Sequence, residues 1–311
     1  MLENVRTSLG LPTDLVLDGV TPLGPLARAV EAAGVDAAFV TDHPAPDDAW
    51  LAGGGHRALD PMVALAVAAE ATTTLRLHTN LYVAAYRHPW LVAHATATLD
   101  QLSGGRLILG VGAGYLEGEM AALGVALDGR NQRTDDTLAL CRRAWAGETI
   151  DGRRLHPLPA RAGGPPVWIG GNSRRAVRRA AELGDGWSPF PSPGAVAAAT
   201  RTTAMAGLDD LAAGIALLDE RAAAAGRATP IEVAYMVPAL VMGRGREWSA
   251  DEVLAQCADM AALGVGWLVL SLPSPDRDTW QAGLDRVRTE LVPELSTLTP
   301  TERPTAPNSV G

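Results

Sequence analysis

Thr41-Asp42-His43-Pro44 sets a carboxylate and an imidazole directly behind the apolar run Ala37-Ala38-Phe39-Val40. Histidine titrates near neutral pH and suits general acid or base work. The competing reading is a turn histidine bonded to backbone, with Asp42 forming an Asx-turn. Two glycine clusters add a second kind of chemistry. Gly110-Val111-Gly112-Ala113-Gly114 has the spacing GxGxG, not GxGxxG, and fits either backbone approach to a ligand or a tight turn between strand and helix. Gly170-Gly171-Asn172-Ser173 precedes the helical run RRAVRRAAEL. Exposed amides at a helix start favour anions, so this cluster reads as a phosphate site or as a plain helix cap by Asn172 or Ser173. The six histidines, at 43, 56, 78, 88, 94 and 156, form no H-x-H or H-E-x-x-H pattern, and there is no G-x-S-x-G elbow. A phosphate-bearing cofactor, one histidine and neither metal nor nucleophile together suggest redox chemistry carried by the cofactor.

Those residues are positioned by an alternation of strands and helices. Strands are expected at 5–11, 37–41, 75–83, 106–112, 167–171, 186–190, 231–240 and 266–273. Thr21-Pro22, Asp60-Pro61 and Pro89 each punctuate the start of a helix, as a capping side chain or a proline at the first helical position should. Further helices fall near 115–122, 130–146, 174–183, 208–226, 250–263 and 279–290. Eight strands each followed by a helix predict a (β/α)8 TIM barrel, in one domain spanning 1–295. Its active site belongs at the C-terminal ends of the strands, where Asp42, His43, Thr79, Asn80 and both glycine clusters fall. Two insertions, 147–166 and 189–207, are expected as loops at that face, with 44–59 and 147–166 shaping a substrate pocket. The Pro/Thr-rich tail 296–311 is expected to be disordered.

The bulk composition narrows the class. The chain has 311 residues, 47% hydrophobic, with a formal net charge of -9 and no lysine. That charge argues against nucleic acid. No apolar run reaches the roughly 18 residues of a membrane span, and the N-terminus lacks the layout of a signal peptide. Cys141 and Cys257 sit in helix-like apolar patterns and read as buried thiols in a reducing cytoplasm.

VTDHP, LHTNLYVAAYRHP, TLDQLSGGRLILGVGAGYLEGEMAALGV and PPVWIGGNSRRAVRRAAELGDGW resemble the luciferase-like monooxygenase superfamily. Within it they are most similar to the actinobacterial branch that uses the deazaflavin coenzyme F420. The resemblance runs in order from about residue 25 to 190 and more loosely to 290. It implies a barrel holding a flat deazaflavin at the strand ends, and a non-prolyl cis peptide in the third strand, here Asn80-Leu81. It implies that His43 handles a proton near the ring, that Asp42 contacts the cofactor head or orients the loop, and that Thr79, Asn80 and Leu81 line the cofactor. Gly112, Ala113 and Gly114 would offer backbone to its ribityl and phosphate region, and Gly170, Gly171 and Asn172 would hold its tail. Trp50 is a candidate wall of the substrate pocket. The activity implied is hydride transfer between C5 of F420 and a small organic substrate. The alternatives are an FMN-dependent monooxygenase and a barrel that binds a cofactor without catalysis. The cations with which the family's sugar-phosphate dehydrogenases hold their substrate have no match here. A homodimer is the assembly the resemblance suggests.

Overall fold

The structure is a computed structural model, and it describes residues 4–241 and 247–304. The strands are β1 (Arg6–Gly10), β2 (Ala37–Val40), β3 (Arg76–Thr79), β4 (Tyr82–Val83), β5 (Leu107–Gly112), β6 (Val167–Gly170), β7 (Gly186–Ser188), β8 (Glu232–Met236) and β9 (Trp267–Leu270). They form one sheet in the order β3-β2-β1-β9-β8-β7-β6-β5-β4, with β3 also paired to β5. Because β3 (Leu77 opposite Leu107) and β4 (Tyr82 opposite Val111) run parallel along the same neighbour, they are two halves of the one expected strand 75–83. The bond between the halves, Asn80-Leu81, is cis, as the resemblance implies. Eight strand positions in this order, alternating with helices, are a (β/α)8 barrel.

Contacts divide the chain into two compact units. The unit of residues 11–31 and 37–167 contains β2 to β5. Its helices start where the sequence marks them. Asp60 accepts hydrogen bonds from the amides of Met62 and Val63 ahead of Pro61–Ala71, and Pro89 opens Pro89–Leu102. Fully buried Leu65, Leu77, Leu107, Ile108 and Leu109 form the core between strands and helices. Glu31 accepts from the amides of Thr73, Thr74 and Leu75, and Arg106 donates to the carbonyls of Ala69 and Leu75, so the turn into β3 is fixed by side chains. The unit of residues 1–10, 32–36 and 168–311 contains β1 and β6 to β9. There the ring of Trp168 meets Trp267 edge-on at 5.0 Å, and the side chain of Trp187 lies against Gly214, where a Cβ would stand 2.5 Å from the ring.

Three expectations need correction. The segment 147–166 does not stand at the C-terminal face: it leads into the start of β6, and Arg161 donates through its amide to Asp100 and through its guanidinium to the carbonyl of Gly105, just ahead of β5. A segment that precedes a strand lies at the strand's N-terminal end, so it does not shape a pocket at the other. The strand expected at 231–240 stops at Met236, because Pro238 opens a short helix, Pro238–Val241. The tail is not disordered over 296–304. There Thr301 donates its amide to the Ala261 carbonyl, and Arg303, 3.6 Å from Asp219, donates to the Ile231 carbonyl. Residues 305–311 lie outside the described residues.

Candidate active site

β2 ends on Val40, and the next three residues turn the chain so that Asp42 and His43 take different partners. Asp42 is 2% exposed, and its carboxylate is fully engaged. It accepts from the Val83 amide (2.9 Å) and from both terminal nitrogens of Arg87 (2.6 and 2.9 Å). Arg87 in turn lies over the Tyr82 ring, 4.3 Å from its centroid. Burial works against the Arg87 cation, but the hydrogen bonds and charge of Asp42 outweigh it and hold the guanidinium above its ordinary value. Asp42 thus ties the end of β2 to β4 just beyond the cis bond.

His43 turns toward Glu119, with Nδ1 3.2 Å from the carboxylate. Glu119 lies on the short helix Glu117–Ala122, and its side chain is 0% exposed. Its carboxylate also accepts from the Tyr86 hydroxyl (2.6 Å) and the Ala45 amide (3.0 Å). Burial pushes the Glu119 carboxyl up, and the hydrogen bonds from His43, Tyr86 and Ala45 outweigh that, leaving it below its ordinary value. Glu119 is therefore ionised at neutral pH. Burial, reinforced by Glu119, pushes the Tyr86 phenol far up, so it stays a neutral donor. Among the described residues no hydrogen bond reaches Nε2 of His43, which leaves that nitrogen for a ligand.

Aromatic rings wall this pair. Trp50 lies 4.5 Å from the His43 ring, His56 stands edge-on at 5.0 Å and Tyr115 at 6.0 Å. Trp50 is placed by a short helix, Asp48–Ala52, which Asp47 caps by accepting from the Trp50 amide. Gly55 packs its bare backbone on the indole, and His56 bonds through Nε2 to the Thr41 hydroxyl at 2.9 Å, which closes the loop back onto the end of β2.

The first glycine cluster divides by role. Gly110 is required by packing, since a Cβ there would stand 2.1 Å from the Thr79 carbonyl, and the Thr79 hydroxyl donates to the Gly110 carbonyl. Gly114 has a φ of +80° and would press a Cβ to 2.7 Å from Met120 and 2.8 Å from Val83. Gly112 differs: its missing side chain leaves open the space beside Leu81, 3.4 Å from where a Cβ would stand. Asn80, Leu81, Gly112, Ala113 and Gly114 are all partly exposed, whereas Thr79 is buried. Asp42, His43, Trp50, Thr79, Asn80, Leu81, Gly112, Ala113 and Gly114 thus belong to one unit.

Gly170, Gly171 and Asn172 lie in the other unit. Ser173, not Asn172, caps the helix Arg174–Leu183, accepting from the Ala176 amide. The Asn172 side chain instead donates to the carbonyls of Phe190 and Thr203 and to the Ser192 hydroxyl, and accepts from the Phe190 amide. It fixes the insertion 189–207, which carries its own short helix, Gly194–Ala199. The Gly171 carbonyl accepts from the Trp187 indole at 2.9 Å.

Sequence reasoning missed Glu119, Tyr86, Arg87, Tyr115 and His56. Glu119 had one signal, its place just after the glycine cluster that ends β5. The others are ordinary loop residues until the fold gathers them.

The profile of the luciferase-like monooxygenase family matches residues 7–293. The F420-dependent hydroxymycolic acid dehydrogenase of Mycobacterium tuberculosis is 31% identical over 173 residues, covering 52% of this chain and 46% of that protein. The F420-dependent glucose-6-phosphate dehydrogenase of Beutenbergia cavernae is 38% identical over 168 residues, covering 50% of this chain and 48% of that protein. The chain thus spans about half the length of these curated relatives. An F420-dependent secondary alcohol dehydrogenase, solved with an F420-acetone adduct, superposes with a TM-score of 0.70 at 18% identity, covering 94% of this chain and 99% of that one. With its profile match running across nearly the whole barrel, the chain belongs to the luciferase-like monooxygenase family.

Proposed function

We propose that the protein is an F420-dependent oxidoreductase acting on a small organic substrate. The observation that carries this reading is the buried Glu119 carboxylate on Nδ1 of His43, which leaves Nε2 to take or give a substrate proton. The names of the relatives supply the cofactor. The residues present suit a flat ring: Gly112 leaves the space beside Leu81 open where any side chain would fill it, and Ala113 and Asn80 are partly exposed next to it. Asn80, Leu81, Gly112, Ala113 and Gly114, all of one unit, would hold the ring and the chain attached to it. When bound, the deazaflavin supplies a carbon that carries hydride.

The remaining work falls to the protein. Glu119 stabilises the imidazolium that His43 becomes on taking a proton, and fixes the tautomer that presents Nε2. Tyr86 and the Ala45 amide keep Glu119 ionised and in place. Trp50 and Tyr115 keep water from the imidazole. Asp42 and Arg87 hold the backbone on which His43 sits.

Fluorescence titration of the purified protein with F420 and with FMN tests the reading. Saturable F420 binding supports it; tight FMN binding with none for F420 replaces it with the monooxygenase alternative. Bound F420 whose redox state no substrate changes would leave a cofactor-binding barrel.

The proposal includes a homodimer in the cytoplasm. A groove of about 800 Å³ runs between the outer helices Pro61–Ala71 and Pro89–Leu102, away from His43. Val63 (66%) and Leu102 (71%) are exposed along it, an apolar face of the kind that partners cover. Sedimentation of the wild type and of Val63→Glu tests it: a dimer made monomeric by the substitution is expected, and a monomeric wild type contradicts it. Cys141 and Cys257 are free, buried thiols, which suits a reducing compartment.

A further inference from the structure

We infer that Tyr86 is a positioning residue for the proton-handling pair: its hydroxyl takes up the Glu119 oxygen that faces His43, and so limits how strongly Glu119 favours a charged imidazole. The inference rests on the proposed function, in which His43 exchanges a proton near neutral pH, and says what keeps that exchange open.

The geometry of one carboxylate carries it. Glu119 presents Oε1 to the Ala45 amide at 3.0 Å and Oε2 to two donors, the Tyr86 hydroxyl at 2.6 Å and Nδ1 of His43 at 3.2 Å. An ionised carboxylate only accepts, so Nδ1 carries a hydrogen whether or not Nε2 does. The two bonds to Oε2 are unequal. The phenol stands at the short, charge-assisted length for O–H···O⁻, whereas the imidazole stands at the long end of the ordinary range for N–H···O. Tyr86 thus holds the oxygen more tightly than His43 does. Without the hydroxyl, the wholly buried carboxylate would leave that oxygen to the imidazole. An opposite charge at such range favours the charged form of a side chain by about 1–3 pH units. An imidazole held that firmly keeps its second proton at neutral pH and ceases to be a base.

Tyr86 is placed to give this bond. It ends the single helical turn Ala84–Tyr86, and its ring is buried in a cluster with Val83, Ala85 and Met120. Burial and the Glu119 charge push its phenol far up, so it donates its hydrogen without giving the proton away. Around the pair, Asp42 is engaged by Arg87 and the Val83 amide, and burial holds the Tyr115 phenol up at about 12. Asp47, Asp48 and Glu117 are exposed, where water and salt screen their charges. His56, edge-on to His43 at 5.0 Å with Nε2 on the Thr41 hydroxyl, also titrates, and it is common to every variant compared below.

Heteronuclear NMR of the imidazole rings of the full-length protein, titrated in pH with neither cofactor nor substrate, tests this, with His43→Gln to assign the His43 signals. Tyr86→Phe keeps the packed ring and removes the hydroxyl, and it should raise the His43 midpoint by about one pH unit. Glu119→Gln should lower that midpoint by about one unit, because the carboxylate charge is gone. Structural damage alone would move both variants the same way, whereas the inference requires opposite directions. Should Tyr86→Phe fail to fold, a fluorinated tyrosine placed at position 86 makes the reverse change: a more acidic phenol bonds Oε2 more strongly and should lower the midpoint. An unmoved or lowered midpoint in Tyr86→Phe overturns the inference, as does a midpoint that the fluorinated ring raises or leaves in place. Because these titrations need no F420, failure of the protein to bind F420 sinks the oxidoreductase reading separately.

Discussion

Asp42 and His43 are neighbours in the chain, and each faces a charge of different character. Asp42 is answered by Arg87, a cation that never titrates, and by a backbone amide, so its charge is closed within the protein. His43 is answered by Glu119 through one ring nitrogen, Nδ1, which leaves its second nitrogen outside the pair. The same ingredients, a buried carboxylate and a nitrogen base, therefore build a strut in one case and, under the proposed function, a proton-exchanging pair in the other. The difference lies in the base: a guanidinium answers two carboxylate oxygens at once, and an imidazole answers with one nitrogen.

Substitutions can break this contrast. The largest effect is expected from His43→Ala, which should lower turnover by about a hundredfold to ten-thousandfold while changing F420 affinity little. Unchanged turnover would remove His43 from the chemistry. Asp42→Asn should act on stability instead, costing about 3 kcal/mol in denaturant unfolding, because Arg87 is left part-buried with only Asp60, 3.4 Å away, to answer its charge. Adding Arg87→Leu to it should recover part of that loss; no recovery would mean that the pair is not the strut described. Gly114→Ala should cost about 1–3 kcal/mol through its positive φ and its crowding against Met120 and Val83, felt equally by both pairs.

A pH series sharpens the same comparison with a smaller effect. The folded Glu119 carboxyl lies below its ordinary value of 4.5, so its stabilising contribution is complete above that pH and is lost as the pH falls through the lower folded value. Denaturant midpoints in acid should therefore fall less steeply in Glu119→Gln than in the wild type. Parallel slopes would mean that Glu119 is not held ionised by His43, Tyr86 and Ala45.

Much of the frame is local and is legible for that reason. The alternation of strands and helices, the Asp60 cap, the proline starts at 61 and 89 and the strand-end positions of Asp42 and His43 each depend on a few adjacent residues. The segment 147–166 reads as a loop at the wrong end when its length is weighed and its position ahead of a strand is not. The partners of the site are out of reach for a different reason. Arg87 and Glu119 come to Asp42 and His43 from 45 and 76 residues away. On its own helix Glu119 reads as a solvated charge among Glu117 and Gly118; only packing beside Tyr86 buries it. The cis bond at Asn80-Leu81 follows from the family resemblance and from no local pattern.

Rapid mixing of the F420-loaded protein with a substrate found by screening small organic compounds, followed by the absorbance of the oxidised deazaflavin, tests the proposed proton-handling pair most directly. The wild type should bleach the cofactor, and His43→Ala should bind it equally well but bleach it at least about a hundredfold more slowly. Equal rates in the two proteins would contradict the assignment of His43 and Glu119 as the pair that moves the proton.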